Sequence, residues 1–98
     1  MLVKIHHGTR MVVAICDSDL IGKKFEEGKK QLDMRGGFFE GEEKNAEEVR
    51  EIVENAKKED ASFNVVGEEA CRVCQECDLF KGDEFMMVEG VPVGLVLL

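Results

Sequence analysis

The sequence predicts an α+β fold: a small antiparallel or mixed sheet with two main helices packed on one face. Three observations carry this. Apolar, β-branched runs separated by polar turns open the chain and close it, and the clearest recurrences of apolar residues every three or four positions lie between them. Strands at both ends with helices in the middle indicate segregated layers rather than alternating βαβ units. With 98 residues the chain has room for one core, so 1–98 is expected to be a single domain.

The first two strands are LVKI (2–5) and MVVAIC (11–16), with HHGTR between them turning at Gly8. CDSDLIGKKFEEG (16–28) has the acidic and hydroxyl groups of a turn or short helical start, and its glycines end it. KQLDM (30–34) reads as a third strand, broken by RGG (35–37) ahead of FFEG. Asn45 with Glu48 three residues on forms a capping box, and Ala46, Val49, Ile52, Val53 and Ala56 then recur at helical spacing. Acidic residues begin that helix and Lys57 and Lys58 end it, the order its dipole favours.

DASFNVV leads into a second helical pattern over 66–78, with Ala70, Val73, Cys74 and Cys77 on one face. FKGDE (80–84) interrupts it. FMMV (85–88) and VPVGLVLL (91–98), joined by EG, form a closing hairpin, with Pro92 at the start of the last strand or on an edge, where its missing N–H does least harm. No internal repeat or linker is present.

Composition narrows the class. Apolar residues at 44% and charged residues at 35%, with a single proline, are the balance of a globular chain rather than a disordered one. The longest apolar runs fall far short of the roughly 20 residues that span a bilayer, and MLVKIHHGTR has no secretory signal pattern, so the expected location is the cytoplasm, with no membrane contact. The net charge of −8 is uneven. Residues 1–37 hold seven bases against five acids, a balance of +2; residues 38–98 hold six against sixteen, a balance of −10. Any contact with phosphate must come from the first third.

Four cysteines raise the question of metal. Cys71, Cys74 and Cys77 repeat at intervals of three, the opening spacing of an iron–sulfur run, and Cys16 would be the fourth ligand. On a helix, Cys71 and Cys77 are separated by about 9 Å of rise and point roughly 120° apart, so they cannot share an ion. A ligand loop there would be helped by glycine or proline, yet 68–79 contains neither, and Glu68 and Glu69 begin the stretch as they would a helix. The reading is therefore a helix packed through its cysteines, with no cofactor. A metal or iron–sulfur site at Cys16, Cys71, Cys74 and Cys77, or a Cys71/Cys74 redox pair, is the alternative.

Other constellations are weaker. His6 and His7 are adjacent and face opposite ways in a strand. IGKK (21–24) lacks the upstream glycine and following hydroxyl of a phosphate loop. Asp17 and Asp19 offer two carboxylates without further oxygen ligands, which suits a turn better than a cation. No serine stands with a histidine and an acid as a nucleophile would. The strongest surface signal combines Lys23, Lys24 and Arg35 with Phe38 and Phe39: in an extended segment one ring faces the core and the other faces outward, and an outward ring beside cations suits single-stranded RNA.

VVAICDSDLIGKKFEEG (12–28), FFEG (38–41), NVVGEEA (64–70) and GVPVG (90–94), in that order, resemble a small archaeal family catalogued as domain of unknown function 424. The likeness covers nearly the whole chain. It implies a single-domain cytoplasmic protein with no established activity and a contextual link to RNA or translation. It also implies that the helix matching 71–77 is ordinarily built from alanine, leucine and valine, and that the second ring of FF is often tyrosine. Residues and resemblance together predict a non-catalytic binding module, associated with RNA or the ribosome through Lys23, Lys24, Arg35 and one of Phe38 or Phe39. The rival is a protein-interaction module whose acidic helix (46–58) docks a basic partner.

Overall fold

The computed structural model describes residues 1–82 and 85–97, so Asp83, Glu84 and Leu98, parts of the expected break at 80–84 and of the expected last strand, lie outside the described residues. The chain runs β1 (Leu2–His6), β2 (Val12–Cys16), a 3-10 turn (Ser18–Leu20), β3 (Lys24–Glu27), β4 (Lys30–Asp33), β5 (Glu42–Glu43), α1 (Ala46–Lys58), β6 (Ser62–Val66), α2 (Glu68–Glu76), β7 (Met86–Val88) and β8 (Val91–Val96). Both terminal hairpins join one six-stranded sheet in the order β5-β1-β2-β6-β8-β7, mixed because β2 and β6 are parallel and every other pair is antiparallel. It is an α+β fold.

Alternation along the strands sends side chains to two cores. Val3, Val13, Ile15, Phe63 and Val65 face α1 and α2, where they meet Val49, Val53, Ala56, Ala70, Val73 and Cys74. Ala14, Cys16, Val66 and Val93 face the other way and are covered by Phe25 and Leu32 of the separate β3–β4 hairpin, by Met34 and by Phe39. The hairpin is clasped to the β7–β8 turn: Glu26 N–H donates to Glu89 (2.9 Å), Glu89 N–H donates to Glu27 (2.7 Å), and Lys30 Nζ reaches the Met87 carbonyl (2.6 Å).

Helix α1 begins where the capping box places it. Glu48 N–H donates to Asn45 Oδ1 (2.8 Å) and Asn45 N–H donates to Glu48 Oε1 (3.0 Å), and Val49, Val53 and Ala56 form its buried stripe. Helix α2 has no such cap of its own. Its N-cap is Gly67, and the carboxylate of Asp17, at the end of β2, accepts from Ala70 N–H (2.8 Å) and Glu69 N–H (3.2 Å) instead. A Cβ at Gly67 would overlap that carboxylate, and the φ of 111° there disfavours a side chain independently.

Two elements depart from the sequence reading. Lys24–Glu27, expected as turn or short helix, is strand β3; only the turn at Ser18–Leu20 is helical, and Phe25 alone anchors the strand to the core. Ser62–Val66, expected as the approach to a helix, is the strand beside β2, and the helix starts only at Glu68 because Gly67 breaks the backbone first. Pro92 is the second residue of β8, which lies between β6 and β7 rather than on an edge. Its carbonyl accepts from Gly67 N–H (2.9 Å), so its nitrogen also points beyond the end of β6, where no ladder bond is lost. Among the described residues no helix is long and apolar enough to cross a membrane.

The Asp17 contact sets a stability test. Asp17→Ala leaves two N–H groups of α2 without their acceptor and is expected to cost about 1–2 kcal/mol in urea unfolding. Gly67→Ala adds overlap and a strained φ and is expected to cost about 2 kcal/mol or more. Unchanged midpoints for both variants would contradict this account of how α2 starts.

Candidate nucleic-acid interface

The β3–β4 ladder gathers the expected cations. Lys24 lies opposite Asp33, and the ladder continues through Met34 N–H to the Lys23 carbonyl (2.8 Å), which brings Lys23, Lys24 and Arg35 to neighbouring positions. Two of the three arrive paired. Arg35 forks onto Asp33 through Nε (2.9 Å) and Nη2 (2.8 Å), and Lys24 Nζ lies 3.0 Å from Glu26. The guanidinium hydrogen bonds hold the Asp33 carboxyl well below the usual carboxylate range. Lys23 is exposed and has no ion pair among the described residues.

The two phenylalanines divide. Phe39 turns inward, 9% exposed, and joins the core beneath the hairpin; Phe38 is 43% exposed. They lie on bends rather than in a strand, but the expected in-and-out pattern holds. Phe38 stacks on His6 with ring centroids 4.6 Å apart and planes 16° from parallel, and Phe39 meets its edge at 5.1 Å. Two residues of β1 hold the loop: Lys4 Nζ donates to the Gly37 carbonyl (3.2 Å), and His6 Nε2 lies 2.9 Å from the Phe38 carbonyl, a contact that requires the proton on Nε2. Only Gly36 and Gly37 separate Arg35 from Phe38, so their Cα atoms are at most about 11 Å apart.

Sequence reasoning missed Lys4 and His6. The signal available was the period of two, which sets Leu2, Lys4 and His6 on one face of β1, but nothing local says that the chain at 37–38 crosses that face. The glycine of FFEG permits the crossing: a Cβ at Gly41 would overlap the backbone of Val3 and Lys4. His7 lies elsewhere, lining an open cleft of about 580 Å³ with Thr9, Arg10, Glu59 and Asp60.

Cys71 and Cys74 are in α2 and Cys77 caps its C-terminus, all buried, while Cys16 ends β2 on the opposite face of the sheet. Among the described residues no three His, Cys, Asp or Glu side chains converge as a metal-holding group. Burial, with help from Asp17, pushes Cys16 up to about 11 and Cys71 up to about 12, and burial raises Cys74 and Cys77 as well. Raised thiols of this kind disfavour the thiolate that a Cys71/Cys74 exchange pair would use. Asp17 is occupied by α2, and Asp19 is exposed in the 3-10 turn.

Residues 5–97 match the model of a family described as protein of unknown function, DUF424. The chain belongs to the DUF424 family. A crystal structure of an uncharacterized conserved protein from Methanopyrus kandleri is similar to it, with 31% identity, a TM-score of 0.79, and coverage of 97% of this chain and 88% of that one. No curated protein matches.

In this DUF424 chain the thiols give a direct check. Iodoacetamide at pH 8 is expected to leave Cys16, Cys71 and Cys74 unmodified in the native protein and to reach Cys77 slowly, with all four alkylated in guanidinium, counted by mass. Rapid native labelling of Cys71 or Cys74 would contradict their burial. Because the folded thiols are raised, the unfolded chain loses its protons first, near 9; stability is unaffected well below that value and falls as pH rises through it.

Proposed function

We propose that this DUF424 protein is a non-catalytic binding module for single-stranded RNA, with Phe38 as its stacking platform. The observation that carries the reading is the exposed Phe38 ring held against His6 at 4.6 Å, its backbone fixed by Lys4 and His6. A ring so placed is ordered before binding and presents apolar area to a base at little entropic cost. The ladder sets Lys23 beside Arg35, three positions before Phe38 in the chain, and Arg35 and Lys24 supply further charge when phosphate competes with Asp33 and Glu26. The basic balance of the first third favours phosphate at this face in a chain that is otherwise acidic.

The rival occupant is a basic protein partner on α1. There Arg50 and Lys57 are engaged by Glu76 (2.9 Å) and Glu54 (3.4 Å), while Glu47 and Glu51 are exposed with no ion pair among the described residues. Charge reversal at Glu47 and Glu51 is the variant that separates the two readings.

Fluorescence anisotropy with labelled single-stranded RNA tests the proposal. Affinity is expected to weaken steeply with salt, Phe38→Ala to lower it about 5- to 100-fold at fixed salt, and Lys23→Ala to flatten the salt slope. No salt-dependent binding, or binding indifferent to Phe38, would sink it.

A further inference from the structure

Beyond Phe38, the hairpin covers one end of its face of the sheet, over Cys16, Val66 and Val93. The register sets Lys4, Ala14, Asn64 and Leu95 side by side across β1, β2, β6 and β8. His6 lies one row further along β1, away from the end that the hairpin covers. Leu95 is 55% exposed, and Met86, paired with Val93 on the same face, is 46% exposed. Leu95, Met86 and the partly exposed Asn64 thus form an accessible strip on this face, separated from the Phe38–His6 stack by the buried Ala14 and Ser62.

Asn64 is the anomaly in that row. Asparagine is disfavoured in strands, and this one sits in β6, an interior strand of the sheet. Its side chain is partly exposed and makes no hydrogen bond among the described residues. The residues that follow it in NVVGEEA serve the fold, since Val65 and Val66 fill the two cores, Gly67 admits Asp17, and Glu69 and Ala70 donate to it. Asn64 has no such role.

We propose that Asn64 is a specificity-determining residue that reads a base of the single strand. The inference rests on the RNA reading above. From the strand spacing and rise, Asn64 lies roughly 12 Å from His6 across the face, within the reach of the two or three bases that a sheet of this width accommodates. A strand stacked on Phe38 lays a following base over Asn64, with Leu95 and Met86 as its apolar floor. The amide offers a donor and an acceptor side by side, and the edge of a base offers the complementary pair. A protein surface is the weaker fit, because covering the amide without satisfying both groups carries a desolvation cost, and Lys4 at the end of the row supplies the sign of charge that phosphate requires.

The test compares RNA hexamers of uridine in which one central position is varied to A, C or G, on the full chain and on Asn64→Ala, Asn64→Asp and Phe38→Ala, each checked for folding by circular dichroism. The wild type is expected to spread over about 5- to 100-fold among the four, and Asn64→Ala to compress that spread to about twofold. Asn64→Asp, which has only acceptors, is expected to move the preference to guanine, and Phe38→Ala to weaken all four alike. Wild-type binding whose ranking survives in both Asn64 variants overturns the base-reading role and leaves RNA binding standing. Failure of the wild type to bind any hexamer removes both. Sedimentation as a dimer that Leu95→Lys dissociates makes the open face a contact between copies and overturns the proposal.

Discussion

The carboxylate of Asp17 is where the two halves of the chain meet. β2 ends at Cys16 and β6 at Val66, side by side and parallel, with some fifty residues of hairpin, loop and α1 between them. Asp17 closes that excursion three times: its own N–H donates to the Val66 carbonyl (3.0 Å), and its carboxylate takes two N–H groups of α2. The acceptor fits only because Gly67 has no side chain. Once α2 is started there, Ala70, Val73 and Cys74 are carried down onto β6, and the core between sheet and helices is determined.

The opposite face of the sheet follows from the same excursion. The chain that leaves β2 must return to the far edge at β5, and on the way it lays a hairpin and a loop over Ala14, Cys16 and Val66. Small side chains at Ala14 and Cys16 let Met34 and Phe39 approach closely, and the loop ends with Phe38 propped on His6. The cover is too short for the whole face, so Leu95 and Met86 stay exposed on it, while the aromatic stack stands at its β1 side.

The sequence made some of this legible and hid the rest for physical reasons. Helix α1 is marked by a capping box and an unbroken stripe, and both terminal hairpins by β-branched runs. β6 is less visible because both its faces are used: Phe63 and Val65 fill one core and Val66 the other, so no clean alternation survives. β3 is less visible because Phe25 is its only apolar side chain. Cys71, Cys74 and Cys77 have a ligand-like spacing in the string, and the helical winding of α2 and its cap buries them against the core. At the candidate site, Lys23, Lys24, Arg35 and an outward phenylalanine were readable from composition and alternation. The Asp33 fork, the inward turn of Phe39 and the two residues of β1 that hold the loop depend on contacts over some thirty positions, or on which way a bend turns.

A titration of ¹⁵N-labelled protein with a short single-stranded RNA, followed by amide chemical shifts, tests the central claim most directly. The account predicts shifts concentrated at Lys4, His6, Gly36, Gly37, Phe38 and Asn64, with α1 silent. Shifts confined to α1, or none at saturating RNA, would contradict it.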